Sequence, residues 1–284
     1  MCTLISIHRT VPGRWLVVAA NRDEYLDRPS EPPALRSGQG LPLIAPMDMR
    51  AGGSWIGLNK KGVFSALTNL RDPNPDPGRQ SRGQVVMDCL ARESAADAVE
   101  GLMAIEARAH NPFNVYVADR DQAFLVVYRE EPFTEELAPG VHVVGNVDPR
   151  ECGRGTGSKV DRVREQVEGI VTQGKIEIVD ALGELCGSHG SQNSSLDDLC
   201  VHVGDTYGTR SSILLELSEA SFESSNGNHQ GITGGGGSQT NTEGGEGGRF
   251  LYAEGPPCVA PFKDYSILLE ELRRTPGYAP AVFS

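Results

Sequence analysis

Apolar runs of strand length, joined in pairs by short turns, constrain this chain more than any other feature. Residues 3–9 and 15–20 are rich in Ile, Val and Leu. Between them Val11-Pro12-Gly13-Arg14 reads as a turn, with Pro setting φ and Gly taking a positive φ. Residues 55–59 and 63–68 are joined by Lys60-Lys61-Gly62, and residues 113–118 and 123–128 face each other across 119–122. Residues 141–144 form a further strand, and residues 249–253 return beside 211–217. Such pairs build antiparallel sheets. Helical periodicity marks residues 81–90, 95–108, 157–171, 175–186 and 266–274. Ser81 and Gln84 have capping-box spacing at the start of the first. Strands and helices alternate in blocks without βαβ crossovers, which predicts a layered α+β protein with stacked, mainly antiparallel sheets. The Pro-rich stretch 27–46 and residues 72–78, with three prolines, read as loops. Residues 224–248 are Gly, Ser, Asn and Thr with almost nothing to bury, and read as a disordered expansion of a hairpin loop. The glycines at 234–237 lack the strand and helix start that a phosphate-cradling loop needs.

A length of 284 residues suits a single domain, residues 1–284. The apolar runs fall far short of the ~18–20 residues that span a bilayer, so no transmembrane segment is expected. Arg9, Arg14 and Arg22 interrupt the first apolar stretches, which is unlike a secretory leader. The expectation is a cytoplasmic protein. A net charge of −12 without a basic stripe argues against a nucleic-acid partner. The six cysteines, at 2, 89, 152, 186, 200 and 258, are irregularly spaced and do not suggest a disulfide framework. Cys186, His189, Cys200 and His202 lack the paired knuckles of a structural zinc site, so they read as core and loop residues and no metal is expected. His8 and His142 read as hydrogen-bonded strand residues, and Trp15 and Trp55 as core. The absence of a Gly-x-Ser-x-Gly elbow disfavours a serine hydrolase.

The chemistry concentrates at the start of the chain. Cys is small enough at position 2 for routine removal of Met1, which leaves one residue with a thiol and a free α-amine. That amine titrates near ~7.7–8.0 and accepts the thiol proton at neutral pH. A two-residue loop at Pro12-Gly13 sets Cys2 opposite Asp23, with Arg22 and Glu24 its neighbours if the register slips. The polar cluster Asn21-Arg22-Asp23-Glu24 ends the second apolar strand abruptly. An Asp there holds an ammonium, and an Arg lowers a thiol pKa.

Several ordered blocks carry a family resemblance. Met1-Cys2-Thr3-Leu4 opens the chain, and Ala19-Ala20-Asn21-Arg22-Asp23-Glu24 leads to Arg28-Pro29. Ala51-Gly52-Gly53-Ser54-Trp55-Ile56-Gly57, Leu67-Thr68-Asn69, Ser81-Arg82-Gly83 and Asn111-Pro112-Phe113-Asn114 follow. Tyr207-Gly208-Thr209-Arg210-Ser211-Ser212 is the last block. With these the chain resembles the NRDE family of transport and Golgi organisation 2-like proteins, a branch of the N-terminal-nucleophile (Ntn) hydrolase superfamily. The resemblance implies a four-layer αββα sandwich. It also implies a cysteine amidase acting on a small amide or acyl compound, with no cofactor needed. In similar amidases the N-terminal Cys works with an Arg and an Asp on the second strand, which matches Cys2, Arg22 and Asp23. Asn146 and Asn69 match the oxyanion donors, and Arg210 a later Arg near the nucleophile. The adjacency of Arg22 and Asp23 departs from the amidase spacing, and the surroundings of Asn146 lack much of the family context. The family resemblance also implies an alternative, a haem- or lipid-binding carrier on the same fold.

Overall fold

A computed structural model describes residues 2–37, 40–151, 158–174, 177–190, 195–221 and 248–276. One sheet contains β1 (Thr3–Val11), β2 (Arg14–Tyr25), β10 (Gly140–Val144), β11 (His202–Val203), β12 (Tyr207–Ser218), β13 (Arg249–Ala253) and β14 (Lys263–Asp264). Its order is β10-β1-β2-β12-β13-β14, with β11 on β12. The other sheet runs in chain order through β3 (Ser30–Ser37), β4 (Pro42–Asp48), β5 (Ile56–Asn59), β6 (Phe64–Asn69), β7 (Phe113–Ala118), β8 (Ala123–Tyr128) and β9 (Pro132–Glu136). All strand pairs within both sheets are antiparallel.

Strand alternation sorts the core into three slabs. Leu4, Leu16 and Val18 point between the sheets, against Phe64, Tyr116 and Leu125. Ile5, Val17 and Ala19 point the other way, under α3 (Lys159–Thr172) and α4 (Ile178–Cys186). The second sheet's outer face packs Val115, Val117 and Val126 against α1 (Gly83–Leu90) and α2 (Ala95–Met103). The result is the expected αββα sandwich, with α5 (Ile267–Arg274) sealing one side through Leu269 and Leu272. Among the described residues no helix is long and apolar enough to cross a membrane.

Several local expectations need correction. Residues 30–37 and 42–48 are strands, not loop. Pro32 and Pro33 are tolerated because β3 is an edge strand whose register shifts between Glu31 and Ala34. The signal for β4 was the short run Leu43-Ile44-Ala45, fully buried here. β9 is likewise an unforeseen edge strand. α1 starts at Gly83 rather than Ser81, and Gln84 donates to Asp88 instead of closing a capping box. α2 stops at Met103, and Arg108, with φ 63°, lies in the turn that follows. Trp15 is core, but Trp55 is only half-buried. The Gly-rich stretch 224–248 lies, except for Gly248, outside the described residues.

The loop before β5 is held against α1 by close backbone contact: the Ser54 N–H donates to the Gly83 carbonyl at 3.1 Å. Gly53 has φ +79°, and a Cβ there would lie 2.4 Å from the Gly83 carbonyl carbon. Gly52 also has positive φ but open space around it. Gly53→Ala should therefore cost about 2–4 kcal/mol, from strain plus overpacking. Gly52→Ala should cost only about 1–2 kcal/mol. Urea denaturation of the two variants checks the difference, and equal costs would contradict it.

Candidate active site

β1 and β2 form the predicted hairpin, with Val11 opposite Arg14 as the turn dictates. Arg9 then takes a left-handed conformation at φ 56°, and the register shifts between His8 and Val11. Beyond that irregularity Thr3 pairs with Asn21, so the ladder, continued, brings Cys2 abreast of Arg22 rather than Asp23. The extra residue changes which side chains share a face. Cys2 and Arg22 take the parity of Leu4 and Val18 and face the space between the sheets. Asn21 and Asp23 take the parity of Ala19 and face the helices.

Each member of the Asn-Arg-Asp-Glu run thereby acquires a separate task. Asn21 is buried, and its Nδ2 donates to the carbonyls of Cys186 and Leu199, both at 2.9 Å, stapling the end of α4 to the sheet. Arg22 is buried with its guanidinium carbon 4.3 Å from the centre of the Trp55 ring. Its Nη1 has no hydrogen-bond partner among the described residues. Asp23 accepts from the Thr209 hydroxyl at 2.7 Å, and its backbone carbonyl faces the Cys2 thiol at 4.0 Å. Glu24 stands 3.9 Å from Arg22 and 3.6 Å from Arg28, which in turn pairs with Asp48 at 2.6 Å.

Cys2, half-buried, opens on a cleft of about 290 Å³. Arg22, Trp55, Asn69 and Arg82 line it, together with Glu24, Arg28 and Asp48. Burial pushes the Cys2 thiol up; the amino-terminal charge and Arg22 oppose the rise, while Asp23 adds to it. Burial also pushes Asp23 up to about 6, against the pull of the amino-terminal charge, Lys159 and the Thr209 hydroxyl. Desolvation pulls Arg22 and Arg82 down, and the thiol's charge opposes this in both.

The structure thus brings Cys2, Arg22 and Asn69 into one cleft, with Asp23 directly behind it. Asn146 follows β10, and its ladder with β1, continued past Leu4 and Val144, carries it toward Cys2. Its Nδ2 donates to the Asn69 carbonyl at 2.5 Å, linking the two candidate oxyanion residues. Arg210 is not one of the residues lining this cleft. It sits where the β12 register shifts between Thr209 and Ser211, the partners of Asp23 and Arg22. Arg82 and Lys159 fill cationic places that sequence reasoning missed. Ser81-Arg82-Gly83 was a recognised block, whereas nothing in the local pattern marks Lys159. Asn114 and Thr68 are structural, tying the Gly145 carbonyl to the second sheet at 3.1 and 2.7 Å. His8 and His142 bond to backbone carbonyls, as expected.

Two stacked antiparallel sheets flanked by helices, the layering described above, are the Ntn-hydrolase fold. Solved structures agree. The chain matches an N-acylethanolamine-hydrolyzing acid amidase ortholog from Caenorhabditis elegans with TM-score 0.51 and 12% identity, covering 75% of this chain and 92% of that one. It matches a variant of the conjugated bile acid hydrolase from Clostridium perfringens with TM-score 0.52 and 10% identity, over 93% and 96%. The family model described as Transport and Golgi organisation 2 matches residues 1–223, and the chain belongs to that family. The mouse and human homologues of that name are each 32% identical over 139 residues, 46% of this chain. The chain spans about half the length of these curated relatives, 50% in each case.

Asp23 gives the site a pH signature. Its folded pKa lies above the usual carboxylate value of 3.8. The folded state therefore binds more protons than the unfolded chain between pH 4 and 6, and stability falls as pH rises through that window. The shift corresponds to about 3 kcal/mol. The stability of wild type minus that of Asp23→Asn should fall by up to this amount from pH 4 to 6 and level off above pH 7. Urea titrations at each pH measure it, and a difference that rises with pH would contradict it.

Proposed function

We propose that this chain is an Ntn-type cysteine amidohydrolase that cleaves the C–N bond of a small acyl amide. One observation carries the reading: the half-buried Cys2 thiol opens on a polar cleft lined by Arg22, with the Asp23 backbone carbonyl 4.0 Å from its sulfur. The proposal includes removal of Met1. The α-amine of Cys2 then takes the thiol proton, and the thiolate attacks the amide carbonyl carbon. The carbonyl π electrons move to oxygen, toward donors from Asn146 and Asn69. One such preorganised donor is worth ~2.7–4 kcal/mol. Collapse of the tetrahedral species breaks the C–N bond, and the Cys2 ammonium protonates the departing amine. Water, deprotonated by the same amine, releases the acyl group from the thioester and restores the thiol.

The electrostatics support this division of labour. Asp23, with a pKa near 6, is mostly ionised at pH 7–8 and suited to hold the Cys2 ammonium. Arg28 is matched by Asp48, whereas Arg82 donates to the Pro112 carbonyl and has no ion pair among the described residues. Arg22 and Arg82 therefore offer cationic groups to a thiolate or to a carboxylate on the substrate. By name, the nematode neighbour is an N-acylethanolamine-hydrolyzing acid amidase and the clostridial one hydrolyses conjugated bile acids. The alternative, a haem or lipid carrier, asks for an apolar slot. The apolar gap between the sheets, lined by Ile44, Phe64, Leu215 and Phe250, offers only about 10 Å³. The cleft at Cys2 is walled by charged side chains, which suits a polar amide better than a porphyrin or an acyl chain.

Intact mass and covalent labelling test the proposal. The purified chain should lack Met1, and an electrophilic β-lactone should form a single adduct at Cys2. Cys2→Ala should abolish the adduct and lower kcat/KM on acyl amides by at least about 10³-fold. Retained Met1, or hydrolysis undiminished by Cys2→Ala, would refute it.

A further inference from the structure

A second cluster of reactive side chains lies on the helix side of the first sheet, apart from the cleft. Three distant segments meet there. His189 follows the C-terminal end of α4, Cys200 and His202 flank the start of β11, and Cys258 lies in the turn after β13. Cys186, grouped with these residues by sequence, is instead buried in the core beneath α4.

The geometry is that of a tetrahedral metal cage. Cys200 Sγ lies 3.4 Å from Cys258 Sγ and 3.6 Å from His202 Nε2, and His202 Nε2 lies 3.3 Å from Cys258 Sγ. One nitrogen of His189 completes the set, with all four ligand atoms within 4.8 Å of one another. A tetrahedral zinc ion with Zn–S near ~2.3 Å and Zn–N near ~2.0–2.1 Å requires ligand-to-ligand edges of about 3.3–3.8 Å. For such an ion an S···S edge is about 3.8 Å and an S···N edge about 3.6 Å, so the three distances lie within about 0.4 Å of what the cage requires. The sulfurs are also well beyond the ~2.05 Å of a disulfide.

The backbone explains how the four ligands converge. Cys200, in the bend before β11, and His202, which opens β11, bring Sγ and Nε2 to 3.6 Å from each other. Gly208 lets β12 run close beside them, since a Cβ there would lie 2.6 Å from the Val201 carbonyl oxygen. The Cys200 N–H donates to the Ser188 carbonyl at 3.2 Å, which draws the His189 segment alongside. Gly187 is packed against Pro257 and Cys258, where a Cβ would meet backbone at 3.4 Å.

We propose that His189, Cys200, His202 and Cys258 form a structural zinc site that stitches the end of α4 and β11 to the turn after β13. Two thiolates and two imidazoles are the donor set that selects zinc in tetrahedral geometry. Four protein ligands leave no position open for substrate, so the ion's role is to hold the fold. The two thiol protons pass to the buffer, and the dication with two thiolates is neutral. The stitch also supports the catalytic face. Val201, next to Cys200, exchanges two 2.8 Å hydrogen bonds with Thr209, whose hydroxyl donates to Asp23. The zinc proposal does not depend on the amidase reading.

The test uses the reduced, full-length chain purified without chelators. Elemental analysis should find about one zinc per chain. Replacement by Co²⁺ should give visible d–d bands and a near-ultraviolet sulfur-to-cobalt charge-transfer band. Cys258 is exposed, so Cys258→Ser removes a ligand with little loss of packing. Cys258→Ser and His202→Ala should each weaken zinc binding by at least about 100-fold, since changes to groups that merely support metal ligands already cost 10–100-fold. Stripping the metal with a chelator should lower the melting temperature of the wild type, and added zinc should restore it, whereas neither step should move that of either variant. Reduced wild-type chain that takes up neither Zn²⁺ nor Co²⁺ would overturn the proposal. Stoichiometry unchanged in both variants, or a Cys200–Cys258 disulfide that persists in reductant, would do so too.

Discussion

The pairing of β1 with β2 governs everything at the site. A hairpin with one face under helices and the other against a second sheet tolerates no slip, because a slip exchanges the two faces. The left-handed residue at Arg9 makes the one allowed adjustment. With it, the first residue after Met1 faces the cleft beside Arg22, and Asp23 turns beneath it toward the helices. A regular ladder from the Pro12-Gly13 turn would have set Cys2 level with Asp23, with different neighbours.

That arrangement puts charge where burial opposes it. Arg22 and Asp23 are each about 5% exposed or less, and neighbouring side chains on the same strand project to opposite faces. Each is compensated separately, Arg22 by the face of Trp55 and the carboxylate of Glu24, Asp23 by the Thr209 hydroxyl and the charge of Lys159. Keeping ionisable groups under such tension suits a site that moves protons near neutrality, because modest changes in charge then shift proton affinity. The Asn21 amide, stapling two carbonyls from the α4 side, holds the strand while this tension is sustained.

One further segment lies between the cleft and the second cluster of cysteines and histidines. Residues 199–202 receive the Asn21 staple, contribute two cage ligands and run beside the strand that carries Thr209. The proposed ligands come from three segments distant in sequence, so an ion held by them would tie those segments together. In this reading the ion secures the scaffold from which Asp23 receives its hydrogen bond, while the cleft keeps the reacting groups.

What the residues alone determined was local and periodic. Alternating apolar runs with short turns specified β1, β2, β5–β8 and β12, and three- and four-residue periodicity located the helices, because both signals act over a few neighbours. Cys2, Arg22, Asp23 and Asn69 were legible through their blocks. The edge strands β3 and β9 were not, since prolines and polar residues obscure alternation where one side of a strand has no partner. Tertiary structure alone decided which face Asp23 took, because a single left-handed residue within the hairpin leaves no periodic trace. It alone exchanged Arg210 for Arg82 in the cleft and added Lys159. It also replaced Cys186 with Cys258, 56 residues beyond His202, as a neighbour of that histidine. Those outcomes depend on how sheets and helices stack in three dimensions, and separation along the chain carries no information about that distance.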